Sequence, residues 1–301
     1  MKQMPNIAVV GSISMDLVAV SKKRPKAGET VIGEAFHTIP GGKGANQAVA
    51  AARLGANVAM VGAVGNDDYG TVVRKNLENE RIFIDYVVPV TDRTTGIAHI
   101  VLAEEDNSIV VVQGANALVN ESVVDRSKDF LIKADMVVLQ LEIPLETVKY
   151  VLAICEEHNI PVMLNPAPAQ VLSEDILEKA TYITPNEHEC RIVLDDFTSS
   201  IEDLLAKYPN KLLMTEGSNG VRFHNGTEIV HVPSIAVDVV DTTGAGDTFN
   251  GALAVALSEG ETLQKAIRFA NIAGGLSVTK LGAQGGMPTR DRVREVQVIV
   301  G

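Results

Sequence analysis

Residues 136–164 read MVVLQLEIPLETVKYVLAICEEHNIPVML. Met136 to Leu141 is a short apolar run, as a strand buried on both faces would be. Leu145 to His158 carries apolar residues at helical spacing, and Pro161 to Leu164 is apolar again. Strand, helix, strand is the unit that sets two parallel strands side by side with a crossover helix between them.

The same unit recurs outward in both directions. Ile7 to Val10, Ala59 to Val64, Tyr182 to Thr184 and Lys211 to Thr215 read as further buried strands. Gly44 to Leu54, Tyr69 to Asn79, Glu187 to Leu194, Gly246 to Glu259 and Leu263 to Thr279 read as helices. The pattern predicts an α/β fold, a mostly parallel central sheet with helices on both faces. In such sheets ligands lie at the carboxyl ends of the strands, so chemistry is expected in the loops that follow them. Two stretches break the alternation. Leu17 to Ile39 has β-like pieces without a helical period. Thr95 to Gln113 reads as a hairpin, Ile97 to Leu102 and Ile109 to Val112 flanking the polar turn Glu104 to Ser108. We expect one domain over 1–301 with an inserted cover at about 17–39 and 95–113. The basic run Lys22 to Lys26 lies in the first insert and reads as a solvated loop, with steering of a polyanion as the alternative.

Composition narrows the function. The 301 residues hold 26 Lys and Arg against 38 Asp and Glu, a net charge of −12. That argues against a nucleic-acid binder, which would need a basic face, and against docking on an anionic membrane. No apolar run reaches the length of a membrane span or a signal-peptide core, so a soluble, cytoplasmic protein is expected. Cys155 and Cys190 both fall in predicted helices and read as buried thiols. The six histidines include no HExxH or paired metal spacing.

Asp241-Thr242-Thr243-Gly244-Ala245-Gly246-Asp247 opens a helix. Small residues let the backbone approach a ligand, and the free N–H groups at the helix start suit an anion. Asp247 is either a favourable helix-start carboxylate or a base beside that anion site. Gly41-Gly42-Lys43-Gly44-Ala45-Asn46-Gln47 opens another helix, with Lys43 and Asn46 as donors for hydroxyl groups. It fits neither a P-loop nor a dinucleotide fingerprint. Asp16 follows the first strand, where a carboxylate can accept two hydrogen bonds from a vicinal diol or simply make a turn. Asn186 and Glu189, three apart at a helix start, either cap that helix, order metal-bound water, or do both.

GSISMD from Gly11, GGKGAN from Gly41, NPAPA from Asn165, TPNE from Thr184, DTTGAGDTFNG from Asp241 and LGAQGGMPT from Leu281 occur in this order. Together they resemble the ribokinase-like (PfkB) carbohydrate kinases over Ile7 to Pro288. GGKGANQA points within that family to members acting on ribose. The resemblance implies a three-layer α/β/α sandwich with a small β-sheet lid. It implies ATP-dependent phosphorylation of D-ribose at its 5-hydroxyl, with Mg²⁺ and an activating K⁺, in a homodimer formed through the lid. By position it makes Asp247 the base and Gly244, Ala245 and Gly246 the anion hole. Ser14, Asp16, Gly42, Lys43, Asn46 and Glu142 fall on the sugar site. Asn186 and Glu189 fall on the Mg²⁺–phosphate pair, Thr215, Glu216 and Gly217 on the nucleotide loop, and Asn271 beside adenine. Asp241, Thr243, Ser277, Lys280, Gly282 and Gly286 fall on the monovalent-cation loop, several through backbone carbonyls. Ser14, Asn271 and Gly286 depart from the Asn, His and Ser found in many or some relatives. Ser14 leaves another substrate open, such as 2-deoxyribose, fructose or a nucleoside. A sugar-binding regulator without catalysis is the reading from another class, and the intact GAGD with Asp247 speaks against it.

Overall fold

The computed structural model describes residues 4–104 and 106–300. Its strands, in chain order, are β1 (Asn6–Val10), β2 (Ser14–Val20), β3 (Ala35–Gly41), β4 (Asn57–Gly65), β5 (Val87–Val90), β6 (Gly96–Ala103), β7 (Asp106–Val112), β8 (Met136–Leu139), β9 (Val162–Leu164), β10 (Tyr182–Ile183), β11 (Met214–Thr215), β12 (Val221–His224) and β13 (Ile229–Val232). The central sheet has the order β10-β9-β8-β1-β4-β5, with every pairing parallel. The antiparallel sheet β11-β12-β13 adjoins it through a parallel bridge between Ile183 and Leu212.

Alternation along β1 places a core on each face of the sheet. Ile7 and Val9 pack with residues of the helices Lys43–Arg53, Ala245–Ser258 and Leu263–Ser277. Ala8 and Val10 pack on the other face with Val151 and Leu152 of the helix Leu145–His158. The result is the three-layer arrangement expected.

Both insert regions contribute to one small sheet of order β3-β2-β6-β7, in which β2–β6 is parallel and the other pairs are antiparallel. Its first strand begins at Ser14, earlier than expected, and β3 runs on to Gly41. The small sheet therefore leads directly into the Lys43 helix. Four strands are shorter than expected, β9 starting at Val162 and β10 ending at Ile183. The ladder of β8 stops at Leu139, and of Lys211 to Thr215 only Met214 and Thr215 form a strand. Glu105 of the expected polar turn lies outside the described residues. Lys22, Lys23 and Arg24 of the basic run are paired. Lys23 meets Glu29, Lys22 meets Glu34 at 3.8 Å, and Arg24 reaches Glu104 and Asp106 at 3.3 and 3.4 Å. Those partners offset the charge that steering would need.

Candidate active site

Two helices start at the carboxyl ends of the central strands, and their first turns meet over a cavity of about 140 Å³. Gly244, at φ +77, is the N-cap of the helix Ala245–Ser258, and a Cβ there would lie 2.8 Å from the Ala283 backbone. Both the backbone angle and the close approach demand glycine. The Ala245 N–H donates to Thr242 O at 3.2 Å. Gly246 and Asp247 follow in the first turn, where N–H groups have no acceptor within the helix. A Cβ on Gly246 would meet no protein atom within 4 Å, so the backbone here faces open space. The cavity is lined by Gly244, Gly246 and Asp247, together with Lys43, Asn186, Glu189 and Thr215.

Asp247 is 7 % exposed, and amides hold both of its oxygens. The Asn46 side-chain amide donates to Oδ2 at 3.0 Å, and that of Gln47 donates to Oδ1 at 3.0 Å. Gln47 also donates to Asn165 Oδ1 at 3.2 Å and accepts from the Gln140 amide at 2.7 Å. A buried carboxylate is tolerated only when so paired.

Asp16, Lys43 and Glu142 form a charged cluster with Asp247. Burial is the main reason the Asp16 carboxyl is pushed up to about 7. Glu142 and then Asp247 add to this, and Lys43 opposes it. Burial works against the Lys43 ammonium, but Asp247, Glu142, Glu189 and Asp16 outweigh it and hold the group above its usual value. Glu142 Oε2 accepts from the Lys43 backbone N–H at 3.1 Å and from the Ser12 hydroxyl. Glu142 thus caps the Lys43 helix as well as standing beside Asp16. The Ser14 hydroxyl is buried and accepts from the Asn116 amide at 3.3 Å. Asn116 also exchanges hydrogen bonds with the Ile13 backbone.

Asn186 and Glu189 make a full capping box, with Glu189 N–H on Asn186 Oδ1 and Asn186 N–H on Glu189 Oε2. Both side chains also line the cavity, so the capping role leaves them facing it. The Glu216 side chain is engaged within the protein. Its carboxylate is bound by the Arg222 guanidinium across β11 and β12. Asn271 is buried and donates to Val232 O and Pro233 O, so its amide fastens the end of β13 to the Leu263 helix. Gly217, at φ +55, has open space where a Cβ would stand.

The residues assigned to a cation loop are brought together from two segments. Asp241 accepts from Thr243 N–H at 2.9 Å and from Gly282 N–H at 2.8 Å. A Cβ on Gly286 would fall 1.8 Å from the Ser277 carbonyl oxygen, which explains the missing side chain there. The Ser277 hydroxyl is spent on Gly274 O, and Lys280 is exposed. Among the described residues no cluster of three or more His, Cys, Asp or Glu could hold a metal.

Asn165, Thr184 and Asn250 also line the cavity, and Gln47 and Gln140 stand behind Asp247. Sequence reasoning left their roles unassigned. Gln47 had a signal, being a polar residue next to Asn46 on an otherwise apolar helix face. Cys155 and Cys190 are buried as expected, and burial pushes their thiols up to about 12 and about 11.

Residues 4–290 match the pfkB family carbohydrate kinase. The chain is 57% identical over 293 residues to ribokinase of Bacillus subtilis, covering 97% of this chain and 99% of that one. It is 37% identical over 299 residues to deoxyribokinase of Salmonella typhi, covering 96% and 98%. The structure of Arabidopsis thaliana ribokinase complexed with ribose and ATP superposes with a TM-score of 0.88 at 32% identity, covering 98% and 99%.

Proposed function

The chain belongs to the pfkB family of carbohydrate kinases, and from that premise we propose that it transfers the γ-phosphoryl group of ATP to the 5-hydroxyl of D-ribose. The observation that carries this reading is Asp247, a buried carboxylate with both oxygens fixed, in the first turn of a helix whose start lines a cavity.

Asp16 and Lys43 hold the sugar hydroxyls, with Ser14, Gly42, Asn46 and Glu142 around them. Asp247 takes the proton of the 5-hydroxyl as that oxygen bonds to the γ-phosphorus. The bond from the γ-phosphorus to the ADP oxygen breaks, and ADP leaves with the electron pair. The Gly246 and Asp247 amides, beside Gly244 and Ala245, stabilise charge on the moving phosphoryl group. Thr215, Glu216 and Gly217 run along the nucleotide through their backbone, and Asn271 shapes the wall near the base.

Glu189 and Asn186 fit a Mg²⁺ held largely through water and phosphate, because Glu189 turns a carboxylate to the cavity and no protein cage forms there among the described residues. Mg²⁺ there would neutralise phosphate charge. Backbone carbonyls near Ser277, Lys280, Gly282 and Gly286, with Asp241 and Thr243, suit K⁺, which would stiffen the loop beneath Gly244. The small sheet acts as a lid that keeps water from the phosphoryl group. The exposed outer strand of that lid, Ile109 to Val112, pairs with a second copy. No helix among the described residues is long and apolar enough to cross a membrane.

ADP release with Mg-ATP and potassium across pentoses, hexoses and nucleosides tests the reading, with Asp247→Asn as control. A response to ribose that is lost in the variant supports it. A stronger response to 2-deoxyribose, which Ser14 and the Salmonella relative keep in view, would move the substrate and leave the mechanism.

A further inference from the structure

Asn46 carries an amide whose two ends face different neighbours. Its Oδ1 accepts from Gln284 Nε2 at 2.9 Å, and its Nδ2 donates to Asp247 Oδ2 at 3.0 Å. Gln284 is itself oriented, because its Oε1 accepts from Asn76 Nδ2 at 2.8 Å. Asn46 and Gln284 are 5 % and 6 % exposed, while Asn76 is half-buried on the helix Asp68–Asn79. All three hydrogen bonds point the same way, from Asn76 to Gln284 to Asn46 to Asp247. An amide with a donor at one end and an acceptor at the other has one orientation that satisfies both. The backbone of this loop is also held: the Arg53 guanidinium donates to Gln284 O and Met287 O.

We propose that Gln284 and Asn76 are positioning residues for the phosphoryl transfer: they set the orientation of the Asn46 amide, so that a donor and not an acceptor faces the carboxylate of Asp247. This rests on Asp247 being the base. Reversal of the Asn46 amide would put Oδ1 against Oδ2, two acceptors in a buried space, and would displace the carboxylate. The chain therefore makes the geometry of the reacting group depend on a residue near the surface, thirty positions down the sequence from Asn46.

Gln284→Glu keeps the shape of the side chain, still accepts from Asn76 and no longer donates to Asn46. We expect kcat to fall by about tenfold, with KM for ATP within about twofold of the unsubstituted chain. Asn76→Asp, at the half-buried end where folding tolerates change, should lower kcat by about threefold with the same pattern. Both losses should vanish when Asn46 is already Ala, because the amide being oriented is then gone. Losses that persist undiminished in the Asn46→Ala background would overturn the proposal, since the residues would be acting through the fold. Unchanged kcat in Asn76→Asp would overturn the chain even if Gln284→Glu is slow. Should Gln284→Glu fail to fold, Asn76→Asp decides alone. Asp247→Asn separates the premises: its near-normal turnover removes the base, whereas its loss beside unchanged Gln284 and Asn76 variants removes only the orienting chain.

Discussion

In the floor of the cavity Asp247 is 7 % exposed, and neighbouring amides bind both of its oxygens; along β7, every residue from Asp106 to Val112 is exposed. The floor joins segments far apart in the chain, with Asn46, Gln47, Gln140, Asn165 and Gln284 converging on one carboxylate. The small sheet is held by ladders to its own strands, and its edge strand presents Ile109, Val110, Val111 and Val112 to solvent, two on each face. Low dielectric and hydrogen bonds on both oxygens fix the Asp247 carboxylate before any ligand arrives. The sheet keeps apolar surface that pays off only when something covers it. One region is closed by folding, and the other is left open by it.

The largest effect tests the floor. Asp247→Asn should reduce kcat by at least about a hundredfold with sugar binding largely retained, as ADP release and calorimetry would show. Turnover close to normal would mean that the fixed carboxylate is only structural. Asp16→Ala comes next, with sugar KM raised by at least about tenfold and ATP binding little changed. Weakened ATP binding with intact sugar binding would place the two subsites the other way round. Asp16 also gives a pH signature. With its carboxyl near 7 when folded and 3.8 when free, the ligand-free fold binds the extra proton, so its contribution to stability is present below about pH 3.8 and is lost as pH rises through about 7. Asp16→Asn should therefore raise Tm at pH 8 relative to pH 5. The same substitution should flatten the decline in sugar affinity as the pH falls from 8 to 6.

The sheet is sharpened by a smaller change. Val110→Asp should convert a dimer to monomer by light scattering and raise sugar KM several-fold while kcat at saturation stays near normal. A dimer that survives this charge must be joined elsewhere. Smallest is the exchange of potassium for sodium at constant ionic strength, with an expected few-fold fall in kcat. Equal rates would leave the carbonyls around Gly286 without a selective cation.

Much of the floor was legible in the chain because its parts are local. The glycines that open both helices, Asp247 and the Asn186–Glu189 cap all announce themselves within a few residues. The helices Leu145–His158 and Asp68–Asn79 match the periodicity reading to within a residue. Gln140 was not legible as a site residue, and Gln47 gave only its polarity on an apolar helix face. A buried glutamine looks like a core substitution until its partner, 200 positions away for Gln47 and Asp247, is known. β5, β12 and β13 escaped as well, since four-residue strands carry too few alternations, and β5 contains Pro89. The sheet's membership was half legible: the hairpin of β6 and β7 has its own turn. The parallel pairing of β2 with β6 crosses some eighty residues and follows no local rule.

The capping box at Asn186 has an electrostatic consequence. A helix start usually welcomes a bare anion, but here the Asn186 and Glu189 N–H groups are already committed, and the Glu189 carboxylate lies beside them. That corner of the cavity repels unaccompanied negative charge. In the proposed reaction a polyphosphate would therefore enter that corner better as its cation complex than as the bare nucleotide.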